Sequence, residues 1–97
     1  MKQASPNDIQ QLVTMMDEFY AEGGYPLNHQ HATAAFATLL ADDRLGCVWL
    51  IQANGEDAGY VVLTLCFSME YGGFNAFVDD LYVRKPFRRA GLGTAAL

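Results

Sequence analysis

The sequence has few cysteines and no long apolar run, and these scarcities exclude several classes of protein. No apolar run approaches the roughly 20 residues of a membrane-spanning helix, and the segment Met1–Ser5 lacks the apolar core of a signal peptide. The chain has 2 cysteines, and their spacing suits no zinc site. We therefore expect a cytoplasmic protein in which Cys47 and Cys66 are reduced and buried in strands.

Cations are also scarce, and their distribution is uneven. There are 6 Lys and Arg against 11 Asp and Glu, a net charge of −5, which argues against general nucleic-acid binding. Four of the 6 cations lie together between Arg84 and Arg89, which leaves 2 cations against 11 acids, or −9, elsewhere. A basic cluster on an acidic chain suggests a phosphorylated cofactor at the cluster and a cationic acceptor such as an amine. An acidic surface also serves solubility alone, so the second inference stays open.

The length and the apolar content predict one packed domain over residues 1–97. Hydrophobic residues make up 52% of the 97 residues, which is enough for a core in a single small domain. A capping box from Ser5 to Asp8 predicts a first helix that ends at Gly23, and Asn28 can cap a second helix. His29 and His31 point to different sides of that helix without a nearby third ligand, so no metal site is predicted.

Three strands are predicted in the second half: Cys47–Gln52, Ala58–Phe67 and Asn75–Val83. Asn54-Gly55 is a strong hairpin signal, so the first two of these strands should pair antiparallel. Gly59 marks a bulge or a close approach of backbone. The prediction is an α/β (α+β) fold with a mostly antiparallel sheet and flanking helices.

The last part of the chain combines a strand, a basic turn and glycines. Gly91-x-Gly93 follows the basic cluster and leads into helix-compatible residues. Glycines allow close backbone approach, and the N–H groups that begin a helix favour an anion. A Walker loop is excluded because no lysine follows Gly93, and a dinucleotide-binding loop is disfavoured because 7 residues separate Val83 from Gly91.

The sequence from Arg88 to Gly93 resembles the R/Q-x-x-G-x-G/A signature of the GNAT superfamily of N-acetyltransferases. The resemblance implies an acetyl-coenzyme A-dependent transfer of an acetyl group to a small amine. It also implies that the strand before the signature pairs with the pantetheine arm, and that the loop binds the pyrophosphate through backbone amides. The implied cofactor-binding residues are Leu81, Tyr82, Val83, Arg88, Arg89, Ala90, Gly91, Leu92, Gly93 and Thr94.

The resemblance also places an acid near Asp79 at the acceptor amine, where it would accept a proton as the catalytic base. Asp79 and Asp80 are adjacent in a strand, so their side chains are expected on opposite faces. The alternative is that both acids tie down neighbouring loops, with Arg84 or Lys85 as partners.

Three aromatic residues near the loop between the two helices have two interpretations. In the superfamily that loop flanks the acceptor site, so the resemblance allows Phe19, Tyr20 and Tyr25 to line it. Phe19 and Tyr20 also belong to an apolar stripe at helical spacing, which favours a place in the core.

The resemblance covers only the N-terminal part of the superfamily's domain, up to the cofactor-binding signature. The chain is therefore expected to be an N-acetyltransferase or the cofactor-binding part of one. The alternative is a non-catalytic remnant that acts as a self-associating domain. The strand Asn75–Val83 would form an exposed edge with Phe77, Leu81 and Val83 on one face, which predicts a homodimer or a larger homo-oligomer.

Overall fold

The computed structural model describes residues 1–70 and 72–90 and has two helices on one face of a four-stranded sheet. The strands are β1 (Lys2–Gln3), β2 (Gly46–Ala53), β3 (Glu56–Ser68) and β4 (Gly73–Val83). The helices are α1 (Ile9–Glu22) and α2 (His29–Ala41), and 3-10 turns cover Pro6–Asp8 and Lys85–Ala90. The described strands lie in the order β1-β2-β3-β4 with every neighbouring pair antiparallel, which confirms the predicted sheet.

α2 begins where the sequence predicts, whereas the predicted capping box lies at the 3-10 turn Pro6–Asp8, directly before α1 begins at Ile9. The carboxylate of Asp8 accepts a hydrogen bond from the backbone N–H of Ser5 at 2.8 Å, as expected of a capping box. Asn28 Oδ1 accepts from the N–H of His31 at 3.0 Å, which satisfies one of the free donors of the first turn of α2. At the other end of α1, Gly24 takes a positive φ of 79° and redirects the chain.

The sheet buries both of its faces to different extents. The larger cluster lies under the helices and combines Leu12 and Met15 of α1, Phe36 of α2, and Leu50 and Tyr60 of the sheet, among others. A smaller cluster on the opposite face joins Ile51, Ala58 and Val83, with Leu81 and Phe87 packed against it. The end of β4 therefore packs against one cluster on each face of the sheet, through Tyr82 and Val83. This packing fixes the point where the basic cluster begins, at Arg84.

A β-bulge in β4 overturns the prediction that Asp79 and Asp80 lie on opposite faces. Val62 pairs with Asp80 and Leu63 pairs with Val78, so β4 contributes one more residue than β3 at this point. A bulge breaks the strict alternation of side chains along a strand. As a result, Asp79 and Asp80 border the same cavity on the helix-covered face.

The same bulge corrects the predicted face of Phe77. Leu81 and Val83 pack with Ile51 on the face away from the helices. Phe77 instead pairs with Thr64, which borders the cavity under the helices. The extra residue in β4 shifts the alternation by one, so Phe77 does not share a face with Leu81 and Val83.

The far end of the β3–β4 hairpin is less buried than the sequence predicts. Cys66 was expected to be a buried thiol, but it is exposed, whereas Cys47 is half-buried and both are free. The reason is geometric. The 13 residues of β3 extend about 43 Å, but the 13 residues of α2 extend only about 20 Å. The hairpin therefore projects beyond the described helices.

Candidate functional site

A small cavity with one acidic wall lies between the helices and the bulge of β4. Its volume is about 130 Å³. Met16, Phe36 and Leu39 form an apolar wall from the helices, and Asp79 and Asp80 supply carboxylates from the sheet. This combination suits a ligand that has a cationic or proton-donating group attached to an apolar part.

Asp80 occupies an environment that favours the protonated carboxyl. It is half-buried, and its Oδ2 accepts a hydrogen bond from Tyr60 Oη at 3.0 Å. Desolvation raises the pKa of Asp80 above its usual value, the hydrogen bond from Tyr60 partly opposes this, and the charge of Asp79 raises it further. Burial, together with the charge of Asp80, raises the pKa of the Tyr60 hydroxyl, which therefore stays a donor. A carboxylate with a raised pKa that borders a cavity is a stronger base than an ordinary aspartate, which makes Asp80 a candidate for proton transfer.

Asp79 is exposed and borders the same cavity. The alternative in which Arg84 ties down the two aspartates is wrong, because Arg84 forms its ion pair with Glu18. Lys85 borders a different cavity together with Glu22. The two aspartates are thus placed at a cavity, away from the cations that follow β4.

An ion-pair network joins the end of α1 to the end of β4. Arg84 donates from Nε and Nη2 to the two carboxylate oxygens of Glu18, each at 2.9 Å, and from Nη1 to the carbonyl of Asp57 at 3.1 Å. Tyr82 Oη donates to Glu22 Oε2 at 3.0 Å and lies 3.3 Å from Glu18 Oε1. Bidentate arginine–carboxylate pairs are strong and directional, so this network fixes where the basic segment leaves the sheet.

Arg88 extends the network by one more step. Its Nε donates to the carbonyl of Val83 at 2.7 Å, and its Nη2 donates to Glu22 Oε1. The guanidinium also lies over the ring of Tyr82, 5.7 Å from its centroid. A cavity of about 560 Å³ opens between Glu18, Glu22, Tyr82, Arg84 and Lys85.

The predicted cofactor residues fall into two groups in the structure. Leu81, Tyr82 and Val83 form the end of β4, and Arg88, Arg89 and Ala90 lie in the 3-10 turn Lys85–Ala90. Gly91, Leu92, Gly93 and Thr94 lie outside the described residues. Among the described strands β4 has only β3 as a neighbour, so its other edge can pair with an extended ligand.

The aromatic residues near the end of α1 separate into core and surface. Phe19 packs against the main core and stacks on Tyr82 with ring centroids 5.2 Å apart, which confirms its place in the helical stripe. Tyr20 and Tyr25 are 38% and 70% exposed, so the expected core position of Tyr20 is wrong. Both tyrosines border a cavity of about 390 Å³ together with Phe19 and Glu22. An aromatic wall therefore remains available next to the ion-pair network.

His29 and His31 are exposed, and His29 Nε2 lies 3.3 Å from Asp17 Oδ1. The described part of the chain contains no cluster of three His, Cys, Asp or Glu side chains that could hold a metal ion. Within that same part, no helix has the length and apolar content needed to cross a membrane.

Glu18, Glu22 and Tyr60 are the site residues that sequence reasoning missed. Glu18 and Glu22 are four residues apart on α1, a spacing that indicates a shared helix face. Their arginine partners lie 66 residues further along the chain, and no local pattern pairs them. The apolar run around Tyr60 likewise carries no signal for a hydroxyl bonded to Asp80.

Residues 10–97 match the model of the acetyltransferase (GNAT) family. A search of curated proteins finds no match to the chain.

Solved structures with this fold were also found. An integron cassette protein from the mobile metagenome of Cole Harbour salt marsh is 50% identical over 98% of this chain, with a TM-score of 0.95. A predicted acetyltransferase with acetyl-CoA from Clostridium acetobutylicum is 19% identical over 98% of the chain, with a TM-score of 0.81. An aminoglycoside acetyltransferase from an uncultured soil metagenomic sample, in complex with sisomicin, is 16% identical over 97%, with a TM-score of 0.71. The chain spans 62%, 66% and 61% of these three proteins, respectively.

Proposed function

The chain belongs to the acetyltransferase (GNAT) family, and from that premise we propose that it binds acetyl-coenzyme A and transfers the acetyl group to a small amine. The observation that carries the acceptor side of this proposal is the cavity with Asp79 and Asp80 on one wall. Two carboxylates attract a protonated amine, and the apolar helix wall fits the carbon skeleton attached to it. A protein of the same fold, an aminoglycoside acetyltransferase, is in complex with sisomicin.

The proposed reaction needs a base, because a protonated amine has no free electron pair. The amine nitrogen attacks the thioester carbonyl, a C–N bond forms, the C–S bond breaks, and the amine loses a proton. Asp80 is suited to take that proton, because it borders the cavity and burial raises its pKa above the usual value. Asp79, the base implied by family resemblance, borders the same cavity and stays a prediction.

We place the cofactor at the end of β4. Leu81, Tyr82 and Val83 offer an edge to the pantetheine arm, and the backbone amides from Arg89 to Thr94 bind the pyrophosphate. Support comes from the family signature, from the cation Lys85 at this end of the sheet, and from the acetyl-CoA complex of the Clostridium acetobutylicum protein. We expect a chain that acts on acetyl-coenzyme A and small amines to work in the cytoplasm.

Replacing Gly91 with valine tests the cofactor loop. A β-branched side chain there prevents close approach of the backbone to the phosphates, so the affinity for acetyl-coenzyme A in titration calorimetry should fall by roughly tenfold or more. Gly73→Val is the matched control, because a Cβ at Gly73 meets nothing within 4 Å. Undiminished affinity in Gly91→Val would show that this loop is not the cofactor site.

The second candidate function is a non-catalytic, self-associating domain. Its support is an exposed apolar surface at the far end of the hairpin, where Phe67, Phe74, Phe77 and Val78 are 53%, 66%, 53% and 49% exposed. Phe74, Phe77 and Val78 lie in β4, the outermost described strand on its side of the sheet, and Phe67 lies in the neighbouring β3. Apolar residues along an unpaired strand edge favour pairing between two copies.

If the chain self-associates there, light scattering at micromolar concentration should give at least twice the mass of 10.7 kDa. Val78→Lys places a charge on that surface and should shift the protein to the monomer. The matched control is Thr14→Lys, an exposed position on α1. A stable, well-folded wild-type monomer would refute self-association, and binding of coenzyme A by that monomer would favour the transferase.

A further inference from the structure

Glu22 holds the first arginine of the family signature in a defined place. Its Oε1 accepts from Arg88 Nη2, and its Oε2 accepts from Tyr82 Oη at 3.0 Å. Both oxygens of one carboxylate are therefore engaged at the end of β4, although Glu22 itself is the last residue of α1. The hydrogen bond from Arg88 is the largest cause of the lowered pKa of Glu22, so the carboxylate is charged at neutral pH.

The guanidinium of Arg88 is committed to contacts within the protein. Nε donates to the carbonyl of Val83, Nη2 donates to Glu22, and the plane lies over the ring of Tyr82. These contacts join the last residue of β4, the last residue of α1 and the 3-10 turn that precedes Gly91. Moving Arg88 to a phosphate would break two hydrogen bonds and leave the Glu22 carboxylate without its ion-pair partner.

We infer that Glu22 is a positioning residue for the cofactor: with Arg88 it forms a brace that fixes the start of the phosphate-binding loop against α1. The turn Lys85–Ala90, which leads into the loop, is then fixed in place before the cofactor binds, which lowers the cost of binding. Arg88 contributes through this brace and not as a phosphate ligand. The inference rests on the proposed function, because it presumes that the loop binds acetyl-coenzyme A.

The charges around the turn are consistent with this assignment. Glu18 neutralises Arg84, and Glu22 neutralises Arg88. Lys85 borders the cavity of about 560 Å³ next to Glu18 and Glu22. Among the described residues it forms no ion pair, in contrast to Arg84 and Arg88. A site built to attract phosphate through Arg88 would gain nothing from a carboxylate placed on the same guanidinium.

The decisive variant is Glu22→Gln, which keeps the shape of the side chain but removes its charge. The Arg88–Glu22 pair is partly exposed, with side-chain exposures of 40% and 33%, so the effect is moderate. We expect the affinity for acetyl-coenzyme A to fall about threefold to tenfold. The affinity for acetyl-pantetheine, which lacks the phosphates, should stay unchanged, whereas general loss of structure would weaken both. Asp17→Asn, which removes the same charge from a half-exposed side chain of α1 that contacts His29, is the matched control and should leave both affinities unchanged.

Substitutions of Arg88 separate a brace from a phosphate ligand. Lysine keeps the positive charge but cannot direct two hydrogen bonds to Val83 and Glu22 as the guanidinium does. A brace therefore predicts that Arg88→Lys and Arg88→Gln lose affinity for acetyl-coenzyme A to a similar extent, within about twofold. A phosphate ligand predicts that lysine retains most of the affinity.

The outcomes are distinguishable by titration calorimetry on the 97-residue chain. Weaker binding of acetyl-coenzyme A in Glu22→Gln, with acetyl-pantetheine unaffected, supports the brace. Equal or tighter binding in Glu22→Gln overturns the brace while leaving the proposed function intact. If the wild-type chain binds neither ligand, the proposed cofactor site fails and the brace fails with it.

Discussion

Replacing Gly59 with alanine is expected to destabilise the fold by about 3 kcal/mol or more, the range of severe overpacking. A Cβ at this position would lie 2.1 Å from the carbonyl oxygen of Tyr82 and 3.0 Å from the Cα of Val83. Both contacts are to the backbone of β4, so no side chain can rotate away. Relief requires β3 and β4 to separate where Gly59 pairs with Val83, beside the second cluster of the core.

A loss of this size matters in a chain of 97 residues, because small domains are stable by only about 5–15 kcal/mol. Urea unfolding followed by circular dichroism measures the change directly. Gly73→Ala is the control: it makes the same substitution at a β4 position where the new Cβ meets nothing within 4 Å, and it should be neutral or slightly stabilising. Equal stability of Gly59→Ala and the wild type would show that β3 and β4 are not packed this closely.

Features set by neighbouring residues could be predicted from the sequence. The capping box at Ser5 and the cap at Asn28 depend on bonds that span three residues. The hairpin turn at Asn54-Gly55 depends on two adjacent residues with positive φ, 54° and 79°. The close approach at Gly59 was also predictable, because a glycine within an apolar strand has few other causes. The order and pairing of three strands follow from these local signals.

The geometry of the cavity bordered by Asp79 and Asp80 could not be predicted, because it depends on one inserted residue. The bulge at Asp79 is a matter of register between β3 and β4, and the sequence of β4 alone reads as a regular strand. Strict alternation placed the two aspartates on opposite faces, yet both border one cavity. Asp79, the predicted catalytic acid, therefore has Asp80 beside it at the cavity, and burial raises the pKa of Asp80.

The ion-pair network was equally out of reach of local reasoning. Glu18 and Glu22 are ordinary residues for an exposed helix face, and Arg84 and Arg88 are ordinary residues of a basic turn. Only the packing of α1 against the end of β4 brings these pairs together. Ion pairs between residues far apart in the sequence leave no periodic pattern. The basic cluster therefore predicts a phosphate site, but the sequence does not show which of its cations are neutralised by glutamates of α1.

Asp80→Asn should lower activity and raise stability at the same time. The variant keeps an oxygen that can accept the hydrogen bond from Tyr60 but removes the ability to take a proton from the amine. Loss of a general base typically lowers kcat by about a hundredfold or more. The release of the coenzyme A thiol measures the rate, with acetyl-coenzyme A and a panel of small amines as substrates.

The gain in stability follows from the sign of the pKa shift. Asp80 has a pKa above the usual 3.8 in the folded protein, so the folded state binds the proton more tightly than the unfolded state. The stability that this protonated carboxyl contributes is complete below pH 3.8 and is lost as the pH rises through the raised pKa. The neutral asparagine does not suffer this loss. Thermal unfolding of Asp80→Asn should therefore match the wild type in acid and exceed it by a few degrees at neutral pH.

Asp79→Asn is the matched variant, because it removes the same charge from the adjacent, exposed residue of the same cavity. It should change the melting temperature little, since an exposed carboxylate loses little hydration on folding.

If Asp79→Asn loses more activity than Asp80→Asn, the base is Asp79, the residue that family resemblance indicates. Asp80 then has a structural role in the cavity through its hydrogen bond with Tyr60. If Asp80→Asn is both fully active and no more stable than the wild type, burial does not tune this carboxyl for proton transfer. If Asp80→Asn is both more stable at neutral pH and less active than the wild type, Asp80 lowers the stability of the fold but is needed for the reaction. That combination is typical of a residue that is retained for its chemical role.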